Sequence, residues 1–330
     1  MLKGLFVLGA ENYDKIYGPE EQAAIRQHVE IIAPLQTAAD VAVNPAIIQQ
    51  IDVMFSGWGG PVMDRAFLVA APNLKVVFYG AGSVRNLVTD AFWEREIQIT
   101  SAAAANAVPV SEYTLSQILF CLKRGWYYVL ESKRTGQWVR RVPVAGAYGS
   151  VVGLISLGLI GQRVAELLKS FDVKVIAYDP FVSAVTATAL NVEMVDLETV
   201  FREADVVSLH TPWLDETVGM ITGAHFAMMK PDSAFINTAR GAIVREEEMI
   251  AVLQDRPDVY AVLDVTWPEP PETGSLLYSL PNVILTPHIA GAMDRECWRM
   301  GRYMVEELAR YVRGEPLRYA ITREQFARLA

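Results

Sequence analysis

The chain predicts an α/β protein built as two doubly wound parallel-sheet domains, and three observations carry that expectation. Two separate series of short apolar runs alternate with helix-like polar stretches, one over the first hundred residues and one from Val151 onward. The runs are continuous rather than alternating, which is the pattern of strands buried on both faces beneath helices. Over 330 residues, apolar side chains make up 52% and charged ones 20%, enough to fill two cores and too apolar for a disordered chain.

The first series places strands at 4–8, 29–33, 52–56, 75–80 and 97–100. A longer helix is expected over 108–124. Residues 142–161 contain no charge, but five glycines and a proline make them a loop entering a buried strand, not a membrane span. The second series places strands at 151–155, 173–178, 205–209, 233–236, 259–263 and 283–285. Between its first two strands, Ile160, Val164, Leu167, Leu168 and Phe171 recur at helical spacing and form one face to lay on a sheet. A last helix is expected over 290–313, with the tail returning onto the N-terminal domain. The expected domains are 1–103 with 290–330, and 104–289.

The net charge is −9 with no basic run, which argues against a nucleic-acid or lipid-binding surface. Two cysteines, Cys121 and Cys297, are too few for a disulfide scaffold and fit a reducing cytosol. The opening "MLKGLFVLGAENYDK" has an apolar run too short for a secretory segment and reads as a buried strand. No H-E-x-x-H and no acid cluster at ligand spacing is present, so no metal site is expected; no G-x-S-x-G occurs either.

In an open parallel sheet, ligands bind beyond the carboxyl ends of the strands. Every strand of the second series delivers glycine or a polar residue there: Ser156 and Gly158, Asp179, His210 and Thr211, Asn237, Thr238 and Arg240, Asp264, and Thr286 with His288. Singly, each has an ordinary structural reading. Six together favour a working cleft. The first turn reads Ser156-Leu157-Gly158-Leu159-Ile160-Gly161, a G-x-G-x-x-G with serine at its first glycine. Gly158 lets backbone approach a pyrophosphate, and Gly161 lets the helix pack close to its strand. Serine at the first position costs little if its φ is negative, and about 1–3 kcal/mol if it is left-handed. The helix starting near Leu159 aims free N–H groups at phosphate. Asp179 lies 18 residues beyond Gly161 at a strand end, placed to hold ribose hydroxyls and to repel a 2′-phosphate, so NAD is preferred over NADP.

Arg240 leaves a strand before Gly241, where its planar fork can hold a carboxylate at two points. His288 sits between a strand end and a helix start. Glu269 reads as a loop acid unless it reaches His288, where it would favour the protonated imidazole. His28 and His225 lie in helix-like polar stretches and read as bystanders.

These residues resemble the D-isomer-specific 2-hydroxyacid dehydrogenase family over most of the chain. "VGLISLGLIGQRVA" is similar to that family's cofactor loop, and "VVSLHTPWLDET" to its next strand-end segment. "FINTARGAIV", "LDVTWPEP" and "LTPHIAG" resemble its three catalytic segments in order and spacing. The resemblance implies a flavodoxin-like substrate domain completed by the C-terminal tail, a Rossmann NAD-binding domain between, and a homodimer built through the NAD domains. It implies Arg240, Glu269 and His288 as catalytic residues: Arg240 on the substrate carboxylate and carbonyl, His288 as acid/base, Glu269 as its partner. It implies cofactor contacts from Ser156, Gly158, Leu159, Ile160, Gly161, Asp179, His210, Thr211, Pro212, Thr217, Thr238, Ala239, Arg240, Asp264, His288 and Gly291. Substrate contacts come from Ala81, Gly82, Arg240 and His288, with backbone N–H groups of the "GAG" at 80–82 on the carboxylate. Ser156 departs from the pattern, and so does "SVRNLV" after Gly82, where Ser83 and Arg85 stand in place of a V-D-N-I-D-like run. The implied substrate is a small 2-oxo or 2-hydroxy carboxylate. The alternative is an NAD(H)-sensing regulatory scaffold with vestigial catalysis, disfavoured by the intact Arg240, Glu269 and His288 set. A formate-oxidising relative would resemble a glutamine in place of Glu269.

Overall fold

The computed structural model describes residues 1–327. The chain divides into two compact units, Met1–Asn106 joined by the chain from Ala292 onward, and Ala107–Gly291.

The first unit holds five parallel strands, β1 (Leu2–Val7), β2 (Val29–Ile31), β3 (Val53–Ser56), β4 (Val76–Tyr79) and β5 (Gln98–Ser101), in the order β2-β1-β3-β4-β5. This is the flavodoxin-like order. Strand geometry sends successive side chains to opposite faces, and both faces are apolar. Leu5, Val7, Met54, Val77 and Ile99 fill one core. Phe6, Leu8, Val53, Phe55, Val76 and Phe78 fill the other. Onto that second face packs the helix Cys297–Val312, through Cys297, Met300, Met304 and Leu308 at helical spacing. The tail then runs along β5: Ile321 N–H donates to Ile99 O at 2.8 Å, and Ser101 N–H to Tyr319 O at 3.1 Å.

The second unit holds β6 (Val151–Ile155), β7 (Lys174–Tyr178), β8 (Val192–Met194), β9 (Val206–Leu209), β10 (Ala234–Asn237), β11 (Tyr260–Leu263) and β12 (Val283–Leu285). All are parallel, in the order β12-β11-β10-β9-β6-β7-β8. Strand order reverses between β6 and β9, the switch point where doubly wound sheets bind nucleotides. The same alternation builds two cores here, with Ile155, Val207, Phe235 and Leu263 on one face. Val152, Leu154, Ile236 and Val262 lie on the other.

Three expectations are corrected. The helix expected over 108–124 runs from Ala103 to Leu122 with Pro109 inside it, so the alanine-rich stretch is its first turn. Left-handed Arg124 (φ 52°) stops it, and a second helix, Gly125–Thr135, follows. The helix expected to start at 290 starts at Cys297, because Asp294 is left-handed (φ 44°) and the preceding residues form a single tight 3₁₀ turn. Strand β8 was not anticipated; three residues with a central glutamate carry no apolar run. Among the described residues, no helix is long and apolar enough to cross a membrane.

Candidate active site

The glycine turn stands at the carboxyl end of β6. Ser156 is left-handed, with φ 75°, so the costlier of the two possibilities holds, about 1–3 kcal/mol. Two bonds hold it there. Its N–H donates to Tyr178 O at 2.8 Å, and its hydroxyl lies 2.9 Å from that of Thr211 at the end of β9. The hydroxyl pair thus spans the switch point. Gly161 is obligatory, since a Cβ there would lie 2.1 Å from Ser156 O. Gly158 is open: a Cβ there would meet nothing within 4 Å. It caps the helix Leu159–Leu168 without any side-chain bond to the first amides. Leu159 is exposed, and Ile160 packs toward the core beneath. Asp179 closes the turn from β7, accepting from Leu157 N–H at 2.7 Å and from the N–H groups of Phe181 and Val182 at 2.7 and 3.0 Å. An open glycine face, uncapped helix amides and a strand-end acid fit a dinucleotide.

At the end of β9, His210 is buried and paired through Nε2 with Ser208 Oγ at 3.0 Å. Burial pulls its pKa down to about 3, so the ring is neutral. Thr217 shapes the following loop, its hydroxyl donating to Pro212 O at 2.6 Å and accepting from Leu214 N–H at 2.8 Å. At the end of β10, Asn237 Oδ1 accepts from Ala239 N–H at 3.0 Å, and the Thr238 hydroxyl meets that of Thr114 at 3.1 Å. Arg240 is part-buried and donates from Nη1 to Ala239 O at 2.6 Å. Burial lowers its pKa from the usual guanidinium value, while the charge of Glu269 acts the other way. No carboxylate of the described residues pairs with Arg240, which leaves it donors for an anion.

The end of β11 and the end of β12 meet through Asp264, which is 2% exposed. Its carboxylate accepts from Thr286 Oγ1 at 2.6 Å and from the N–H groups of Ile289 and Ala290, each at 2.9 Å. Its main-chain oxygen accepts from His288 N–H at 2.9 Å. These bonds hold His288 in a left-handed conformation, φ 54°, that an unsupported histidine would leave. The imidazole Nδ1 lies 2.6 Å from Glu269 Oε1, and both side chains remain about 40% exposed or more. Glu246 anchors the segment carrying Glu269, its Oε2 accepting from Trp267 N–H at 3.1 Å. In the sequence it is the first of three successive acids, Glu246-Glu247-Glu248, that open the helix Glu246–Asp255. Gly291 follows Ala290 at the end of the unit.

Ala81 and Gly82 belong to the other unit, beyond β4. The carbonyl of Ala81 accepts from Ser101 Oγ and Ala102 N–H, both at 3.0 Å. A Cβ on Gly82 would meet only Asn106 Nδ2, at 3.8 Å. Among the described residues, no group of three or more His, Cys, Asp or Glu could hold a metal.

Residues 116–290 match the D-isomer specific 2-hydroxyacid dehydrogenase, NAD binding domain. The chain is 36% identical over 250 residues to an (S)-sulfolactate dehydrogenase of Chromohalobacter salexigens, covering 75% of this chain and 81% of that protein. It is 31% identical to a D-3-phosphoglycerate dehydrogenase of Archaeoglobus fulgidus, covering 78% of this chain but spanning only 49% of that relative's length. In fold it is similar to the NAD-complexed D-isomer specific 2-hydroxyacid dehydrogenase of Lactobacillus delbrueckii, with TM-score 0.80, 22% identity, and coverage of 97% and 100% of the two chains. The chain belongs to the D-isomer specific 2-hydroxyacid dehydrogenase family, and its second unit is that family's NAD-binding domain.

Proposed function

We propose that this protein is an NAD-dependent 2-hydroxyacid dehydrogenase that interconverts a small 2-oxo acid and its D-2-hydroxy acid. The observation that carries the reading is the Glu269–His288 pair at 2.6 Å, on the same sheet edge as Arg240, which makes no ion pair among the described residues. NADH, held by the turn Ser156–Gly161 and by Asp179, would supply the hydride that reduces the substrate carbonyl. Arg240 holds the substrate carboxylate, which places the carbonyl for attack. Glu269 keeps the proton on His288 Nδ1, so Nε2 is the nitrogen that gives a proton to the carbonyl oxygen in reduction and takes it back in oxidation. Asp264 fixes the loop on which the imidazole rides. Ala81 and Gly82, in the other unit, are the further substrate contacts that the family resemblance implies. Ser156, Gly158 to Gly161, His210 to Pro212, Thr217, Thr238, Ala239 and Gly291 form the dinucleotide cradle, and Asp179 favours NAD over NADP by repelling a 2′-phosphate.

We also propose a cytosolic homodimer joined through the NAD-binding unit. Phe120 on the helix Ala103–Leu122, and Trp138, Val144 and Tyr148 in the segment after the helix Gly125–Thr135, are exposed at 39%, 95%, 37% and 87%, an apolar display suited to a partner surface. Both cysteines are free and buried, as a reducing compartment allows. The test of the activity is a panel of small 2-oxo acids, glyoxylate and hydroxypyruvate among them, with NADH and NADPH in parallel. Turnover of at least one acid, faster with NADH, is expected. No turnover with any acid, with NADH nonetheless bound, would favour a nucleotide-sensing scaffold instead.

A further inference from the structure

We propose that Tyr113, on the helix Ala103–Leu122, is a positioning residue for His288, acting through a chain of hydroxyl hydrogen bonds. The inference rests on the functional reading above. Tyr113 Oη lies 2.9 Å from Thr286 Oγ1, and Thr286 Oγ1 lies 2.6 Å from Asp264 Oδ1. Proton counting fixes the direction. Thr286 has one hydroxyl proton and Asp264 Oδ1 is an acceptor, so Thr286 donates to Asp264 and Tyr113 must donate to Thr286. The chain therefore runs Tyr113 to Thr286 to Asp264, ending on the oxygen that also takes Ile289 N–H at 2.9 Å.

Each link polarises the next, and the last is a short charge-assisted bond. The Asp264 carboxylate takes the N–H groups of the two residues after His288, while its main-chain carbonyl holds His288 N–H itself. A left-handed histidine persists only where its surroundings over-determine it. Tyr113 adds a support from a different element, reaching across 173 residues of sequence. Burial raises its phenol pKa, which keeps it a donor throughout the working pH range. Its neighbour Thr114 makes a parallel contact with Thr238 at 3.1 Å, so one helix turn braces both the β10 end and the β12 end.

The test compares Tyr113→Phe, Thr286→Val and the double variant in the full chain. Tyr113→Phe should lower kcat about threefold to tenfold, the scale of one lost hydrogen bond. The NADH dissociation constant should stay within about twofold, because the turn at Ser156–Gly161 is untouched. In the Thr286→Val background, Tyr113→Phe should have no further effect. A readout independent of turnover is the His288 ring signal in histidine-labelled protein, which should move or broaden in Tyr113→Phe while those of His28 and His225 stay fixed. An unmoved His288 signal, or additive losses in the double variant, would overturn the inference. If no 2-oxo acid is turned over by the unaltered protein, the functional reading fails, and the His288 signal still decides the positioning role.

Discussion

Asp264→Asn separates a loop-holding carboxylate from one that serves the cofactor. Asparagine keeps the shape and the main-chain bond to His288. Its one carbonyl oxygen can keep the bonds from Thr286 and Ile289, made at 2.6 and 2.9 Å by Asp264 Oδ1. Its amide nitrogen then faces Ala290 N–H, which donates at 2.9 Å to Oδ2, so donor opposes donor. Ala290 is 2% exposed, and water does not replace the lost acceptor. One buried donor left unpaired costs about 1–3 kcal/mol. Taking about 2 kcal/mol, the melting temperature falls by about 4–8 °C for a unit of this size. The freed loop displaces the imidazole, and misplacement of a reacting group by about 1 Å costs up to about a hundredfold, so kcat should fall at least tenfold. Thermal unfolding, steady-state reduction of a 2-oxo acid and NADH titration on one preparation read all three quantities. An unchanged melting temperature with a collapse of NADH affinity would refute the reasoning and assign the carboxylate to the coenzyme.

Two more predictions follow from buried or strained groups. His210 has its pKa pulled down to about 3 by burial, against 6.5 unfolded, so the unfolded chain binds the extra proton. Stability should be complete above about pH 6.5 and fall as pH drops toward 3, by up to about 1.4 kcal/mol per pH unit from this residue. Urea unfolding of His210→Gln at pH 7, 6 and 5 should show an acid slope shallower by up to one proton; equal slopes contradict the assignment. Ser156 is strained at φ 75° and bonded to Thr211. Ser156→Gly relieves the strain and loses the bond, leaving stability within about 1 kcal/mol, whereas Ser156→Ala keeps the strain, loses the bond, and costs about 1 kcal/mol more than glycine. Chemical denaturation of both variants checks the order; alanine as stable as glycine would deny the strain.

Strand alternation was the most legible feature of the sequence, because buried parallel strands leave continuous apolar runs. Leu5 and Val7 against Phe6 and Leu8 already encode the two cores of the first sheet. Val192–Met194 left no such run, being too short and carrying Glu193. Ser156 could not be decided from sequence, since serine tolerates either sign of φ and the outcome depends on Thr211, 55 residues away. The strand-end polar residues were legible as a set. Their hydrogen bonds were not: Asp264 is read by amides 25 and 26 residues on, and Tyr113 by a hydroxyl 173 residues on. No local pattern specifies such pairings; the sheet brings them together. Glu246 was hidden for the opposite reason, as one acid among three on a helix whose first turn favours acids anyway.

The most direct test of the mechanism is His288→Ala, assayed side by side for turnover of the preferred 2-oxo acid and for NADH binding by fluorescence. Loss of general acid–base catalysis costs about a hundredfold to ten-thousandfold in kcat, while NADH affinity should change by less than about threefold. Turnover surviving near its original rate, or turnover and NADH binding lost together, would contradict the assignment of His288 as the proton donor.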